Sequence, residues 1–178
     1  MCKELNTLLT ALYVLIDDHV VVPRTGRGRE PKLPDSELLT LAVAQVLLGH
    51  HSERRWIRHV HSSPAWRAMF PYPPKQPGYH KRLKAAQPLL CKTILVLAEC
   101  CPSWSGGMWI ADAAPVPCGM SRETVKRSDL AGHVGYGYCA THSRFYWGLR
   151  LYLVFSGDGM PISVVLGQPP SNYGTVAL

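Results

Sequence analysis

Phe145-Tyr-Trp-Gly-Leu-Arg-Leu-Tyr-Leu-Val-Phe155 is where the chain changes its period. Phe145, Trp147, Leu149, Leu151, Leu153 and Phe155 alternate with Tyr146, Gly148, Arg150, Tyr152 and Val154, a two-residue repeat that predicts a strand with one strongly apolar face. Ser156-Gly-Asp-Gly159 follows, and Asp-Gly is a favoured hairpin pair. Ile162, Val164 and Leu166 then resume the alternation, so a second, antiparallel strand is expected. Upstream, Met108-Trp-Ile-Ala-Asp-Ala-Ala-Pro-Val116 reads as a third strand. Three consecutive strands without a long crossover predict a small, mainly antiparallel sheet.

Before this sheet the period is helical. Leu5, Leu8, Leu9, Leu12, Leu15 and Ile16 recur at three- and four-residue steps and predict one amphipathic helix over about residues 3–20. Residues 23–34, PRTGRGREPKLP, hold three Pro, two Gly and four Arg or Lys, the composition of a basic linker or arm. Such an arm can lie along a DNA backbone or simply sit in solvent. Asp35 or Ser36 is expected to cap a second helix over Leu38–Leu48, with Glu37 placed favourably in its first turn and Gly49 ending it. Ser52 is expected to cap a third, from Glu53 to about His61, and Ser63-Pro64 to start a short fourth. The second and third helices, joined through Gly49-His-His-Ser52, have the length and glycine turn of a helix-turn-helix.

In the third helix, Arg54 and Arg58 share a face with Arg55 and His61 beside it, while Trp56, Ile57 and Val60 turn to the core. That face is a candidate for DNA or, more plainly, a solvated basic surface. Residues 71–78, with four Pro and a Gly, predict a rigid loop. His80, Lys81, Arg82 and Lys84 open a further basic helix that Pro88 kinks or splits, and Lys81, Arg82 and Lys84 are candidate phosphate contacts. Pro102–Gly107 breaks the helical pattern, so an α+β chain is expected: a helical, helix-turn-helix-like module over 1–101 and a three-stranded sheet domain over 102–178.

Charge follows this division. The chain carries a formal +7; residues 1–101 hold 14 Lys and Arg against 8 Asp and Glu, and residues 102–178 hold 5 against 4. Basic charge gathered on one module is the footprint of a polyanionic partner such as nucleic acid. The longest apolar runs are too short and too polar to span a bilayer, and the start lacks the regions of an export signal, so a cytoplasmic chain without membrane contact is expected. The cysteines, Cys2, Cys91, Cys100, Cys101, Cys118 and Cys139, have no CxxC spacing and read as reduced thiols. Cys100 and Cys101 with some of His50, His51, His59 and His61 form the set from which a zinc site could be built.

Asp112 stands alone in its apolar strand, where a carboxylate has no packing value. An ionised carboxylate removed from water needs a partner or a metal, which makes Asp112 the candidate catalytic residue and Mg²⁺ ligand. Two-metal phosphoryl transfer needs several converging acids. Asp158 belongs to a hairpin turn, while Glu123, able to pair with Arg127, and Asp129 fall in a short helix or loop and read as surface residues.

Several runs together resemble the first catalytic segment of bacterial insertion-sequence transposases of the DDE type. They are Asp112-Ala-Ala-Pro-Val-Pro-Cys-Gly119, Ser121-Arg-Glu-Thr-Val-Lys-Arg127, Gly135-Tyr-Gly-Tyr138, Phe145-Tyr-Trp-Gly-Leu-Arg-Leu151 and Asp158-Gly-Met-Pro-Ile162. Asp35-Ser-Glu-Leu-Leu-Thr-Leu-Ala-Val-Ala44 and Gln76-Pro-Gly-Tyr-His-Lys-Arg-Leu83 are similar to the helical amino-terminal region of the same family. The likeness spans roughly residues 5–166. It implies a ribonuclease H-like core with Asp112 on its first strand, Mg²⁺ as cofactor, and double-stranded DNA at transposon ends as the partner, cut and joined by water and then a 3′-hydroxyl. It also implies a later Asp and a Glu on a late helix. Residues 167–178 carry no acid, so an amino-terminal fragment with an incomplete, three-stranded ribonuclease H-like sheet and no activity alone is expected. The sheet would keep an open edge and an uncovered apolar face, which dimerisation or packing on the helices would cover. A DNA-binding regulator that occupies transposon ends, and a remnant without function, are the competing readings.

Overall fold

Leucines at three- and four-residue steps wind into α1 (Lys3–His19) in the computed structural model, which describes residues 3–22, 31–119 and 122–169. Residues 23–30 of the expected basic arm and the chain after 169 lie outside the described residues. In α1 the buried line runs through Leu9 and Ile16 to Val20, with Leu5, Leu12 and Leu15 packed partly against the core. Leu8, expected in the same stripe, is 53% exposed because it falls at the edge of that line.

The second helix, α2 (Asp35–Leu47), begins before the expected Leu38, with Pro34 as its N-cap residue and no side-chain cap. Neither Asp35 nor Ser36 caps it. Asp35 is taken up by Arg82, and Ser36 is wholly buried, its carbonyl accepting from Thr40 Oγ1 at 2.8 Å. Leu38, Leu39, Leu41 and Ala44 are fully buried. Glu37 does sit in the first turn, but its Oε2 is shut away from water without a hydrogen-bond partner, and burial raises its pKa. The favourable dipole position therefore carries a desolvation penalty.

Ser52 caps α3 (Glu53–Ser62), its hydroxyl accepting from Arg55 N at 3.4 Å, and Trp56, Ile57 and Val60 are buried as their spacing requires. Pro64 opens α4 (Pro64–Met69), which buries Trp66. The proline-rich segment gives way to helix sooner than expected: α5 (Gln76–Ala85) takes Pro77 into its first turn, where no amide N–H is needed. Pro88 likewise stands in the first turn of α6 (Gln87–Glu99), so it splits the helical run rather than kinking it. Lys92 Nζ donates to Val20 O at 3.0 Å, tying α6 to the end of α1.

Two compact units result, Met1–Val96 and Leu97–Leu178, dividing inside α6 rather than after residue 101. The first unit has a continuous core of buried side chains drawn from α1 to α5 and their connections. The architecture is α+β, and no described helix is long and apolar enough to cross a membrane.

In the second unit, a short 3-10 turn at Pro102–Ser105 precedes β1 (Trp109–Gly119), α7 (Arg122–Arg127), β2 (Gly135–Cys139), β3 (Arg144–Ser156) and β4 (Pro161–Gly167). The sheet has four strands where three were expected, and every pairing is antiparallel. The long β3 pairs with β1 along 147–156, with β2 along 144–148 and with β4 along 150–155. The additional strand, β2, is Gly135-Tyr-Gly-Tyr-Cys139, whose two glycines weaken strand propensity. It persists because the Tyr146 ring lies against Gly137, where a Cβ would come within 2.8 Å of it. The side chain of Glu123, and hence its expected pairing with Arg127, is outside the described residues.

The apolar face of β3 is only partly buried. Leu149, Leu151, Leu153 and Phe155 are half-buried, and Phe145 is exposed. Trp109, Ile110, Val165 and Leu166 on neighbouring strands are exposed too, while Tyr146, Trp147, Val134 and Ile162 are the buried hydrophobic side chains of the strands and their near turns.

Candidate nucleic-acid interface

The connection between α2 and α3 is fixed from both sides. Gly49 adopts φ 70°, His50 N donates to Gln45 O and Gly49 N to Val46 O, each at 3.0 Å, which ends α2 in a Schellman turn. Gln45 then works through its side chain: Nε2 donates to His50 O at 3.0 Å, and Oε1 accepts from the Tyr79 hydroxyl at 3.1 Å. A fully buried tyrosine on α5 thus holds the turn that sets the course of α3. Burial, and then the negative Glu53 nearby, push the Tyr79 hydroxyl well above its ordinary pKa. The Trp56 indole beside it opposes the rise but does not meet hydrogen-bond geometry.

This clamp has two testable consequences. Tyr79→Phe leaves Gln45 Oε1 buried without its donor, so an unfolding free energy lower by about 1–3 kcal/mol is expected in urea titrations. Between the unfolded pKa near 10 and the higher folded value, the unfolded state releases this proton and the folded state keeps it, so stability falls as pH rises above about 10. In Tyr79→Phe that alkaline component disappears.

On α3, the side away from Trp56, Ile57 and Val60 presents Arg54, Arg55 and Arg58 to solvent, with His59 and His61 also exposed. Among the described residues no carboxylate pairs with any of these three arginines. The acid on the helix, Glu53, is engaged by His80 Nδ1 at 3.1 Å, a contact between α3 and α5. His50, His59 and Trp56 stack in series at 5.0–6.0 Å between ring centroids.

The basic run that opens α5 divides. Lys81 and Lys84 are exposed, whereas Arg82 is half-buried and held, Nη1 to Leu33 O at 2.6 Å and Nη2 to Asp35 Oδ1 at 2.5 Å. Arg82 therefore ties the segment before α2 to α5, a role its sequence position did not suggest. Gln45 and Tyr79 were also missed. The one local hint was a lone glutamine in the apolar α2, and its pairing with Tyr79 spans 34 residues.

Asp112 occupies β1 opposite Leu153, which itself faces Val164 of β4, so the carboxylate shares a face with the half-buried leucines. It is nonetheless exposed, and its Oδ1 accepts from the adjacent Ala113 N at 2.7 Å. The burial that would demand a metal or a cation is not present, because the face around it is not covered. Asp129 is exposed in the turn after α7, and Asp158 accepts from Ser156 Oγ within the β3–β4 hairpin. Among the described residues no three His, Cys, Asp or Glu side chains gather to hold a metal ion. Comparison with known proteins returned no matching family model, no matching curated protein and no matching solved structure.

Proposed function

We propose that the chain is a DNA-binding segment of an insertion-sequence transposase of the DDE type, docking on duplex DNA through the helical unit. The observation that carries this is α3: a helix anchored by Trp56, Ile57 and Val60 whose opposite side offers Arg54, Arg55 and Arg58, with no carboxylate among the described residues to answer them. The Schellman turn and the Gln45–Tyr79 clamp support a helix-turn-helix arrangement in which α3 enters the major groove. Exposed Lys81 and Lys84 on α5 would meet backbone phosphates, whereas Arg82 would act by holding the module together. In the second unit, an antiparallel four-stranded sheet with Asp112 on its first strand is in keeping with the opening of a ribonuclease H-like sheet.

The parent chemistry is Mg²⁺-dependent strand cleavage and transfer. The donors around Asp112 do not fit that ion, since one exposed carboxylate engaged by its neighbouring amide does not bridge two metals. This favours occupation of transposon ends, as a regulator or as the binding half of a larger assembly, over cleavage by this chain. Supercoiled plasmid incubated with the protein and Mg²⁺ is expected to remain intact. Nicking that vanishes in Asp112→Asn would overturn this part of the proposal.

Binding itself is tested by salt. Each phosphate neutralised steepens the fall of log K with log salt by about 0.9. Replacing Arg54, Arg55 and Arg58 together by Ala is expected to flatten that slope by about 2–3 and to weaken gel shifts in proportion. An unchanged slope removes α3 from the interface.

A further inference from the structure

The α3 side that carries Arg54 and Arg58 continues, one further turn along, to His61, and His61 lines a groove of about 540 Å³. Around the groove stand Lys32, Arg67 of α4, Tyr72 and Pro74 of the proline-rich turn, and Arg82 of α5. Among the described residues no carboxylate lines it. Arg82 is balanced by Asp35, so the charge left unanswered at the groove is that of Lys32 and Arg67, both exposed. Lys32 Nζ is held over the Tyr72 ring, 5.2 Å from its centroid, which directs the ammonium without neutralising it. His61 Nε2 lies 3.3 Å from Pro74 O. A carbonyl oxygen only accepts, so Nε2 carries a proton, and Nδ1 meets a phosphate through a hydrogen bond when either the ring is the imidazolium or the phosphate itself bears the proton. Pro73 and Pro74 keep the opposite wall stiff.

We infer that this groove is a phosphate-binding site, in which Lys32 and Arg67 grip the anion and His61 and Tyr72 supply the remaining polar contacts. A groove walled by prolines, with the Lys32 ammonium held over Tyr72 and the Arg67 guanidinium beside it, offers the charge and the donors that a tetrahedral dianion or a phosphodiester takes. Two sources share that chemistry: a backbone phosphate of duplex DNA already lying on α3, and a free or terminal phosphate monoester. The first source rests on the DNA-binding proposal above; the site itself does not.

The full chain and its Lys32→Ala/Arg67→Ala double variant separate these cases, both substitutions being on exposed side chains. One measurement follows the His61 ring protons by NMR while inorganic phosphate, and then a 5′-mononucleotide, is added. The other is the salt dependence of binding to duplex DNA. Saturable His61 shifts in the wild type that vanish in the variant support the site and identify a monoester ligand. A salt slope lower by about 2 in the variant, with affinity down roughly tenfold to a hundredfold at 0.1 M salt, supports it with the DNA backbone as source. His61 shifts without any DNA binding would sink the proposed function and leave the phosphate site standing. Duplex binding with an unchanged slope and no His61 response would overturn the phosphate site and leave the α3 interface standing, and a chain that shows neither response has no such site.

Discussion

Trp56→Ala is expected to lower the unfolding free energy of the helical unit by about 3–5 kcal/mol, the loss usual for a large buried aromatic. Trp56 is fully buried, meets Trp66 edge-on at 5.0 Å between ring centroids, and lies within 6.0 Å of both His50 and His59. It is therefore the point where α3, α4 and the α2–α3 turn share one contact. Against a total stability of about 5–15 kcal/mol for a domain of ordinary size, this removes a large fraction or all of the folded population. Urea denaturation followed by helical circular dichroism measures it, and a change under about 1 kcal/mol would show that the unit does not hang on this residue. Because the same helix carries the arginine face, the DNA binding proposed above predicts an affinity that falls with folding in Trp56→Ala and is retained in Trp56→Phe, which keeps most of the packing.

The second large effect lies in the sheet. At Gly148 a Cβ would come 2.1 Å from Val116 O and 3.0 Å from Cys118 N, where β1 shifts its register between Pro117 and Gly119. The obstacle is backbone, which unlike a side chain cannot swing aside. Gly148→Ala should accordingly destabilise the second unit by 1–3 kcal/mol or more, of the order that overpacking produces. With few side chains fully buried there, a loss of that size is expected to open the pairing of β1 with β3, seen as faster amide exchange along residues 109–119 and 147–156. Gly107→Ala, at a position with nothing within 4 Å, serves as the control and should leave exchange unchanged.

Much of the local structure was legible because the signals are local. The Ser52 cap, the Gly49 stop, the Pro64 start and the Asp158-Gly159 hairpin each act within four residues, so spacing alone identifies them. The division of α3 into an arginine side and a Trp56-Ile57-Val60 side follows from helical geometry once the helix exists. Pro88 splits the helical run as one of the two expected outcomes, whereas Pro77, expected in a rigid loop, is taken into the first turn of α5, which accepts proline. Strand β2 was missed because its own residues favour a loop, and what stabilises it is the Tyr146 ring on the next strand.

The sequence by itself determined the division into a helical first part and an extended second part, which side of α3 is basic, and that basic charge gathers in the first half, since these depend on periodicity and count. Tertiary structure alone decided what individual charged and polar residues do. It turned Arg82 from a candidate DNA contact into a clamp on Asp35 and Leu33, joined Gln45 to Tyr79 across 34 residues, brought Lys32, His61 and Arg67 to one groove, and left Asp112 in water on an uncovered face. The physical reason is that a side chain's partner and its desolvation are set by segments far along the chain, whereas helix and strand periods are set by immediate neighbours.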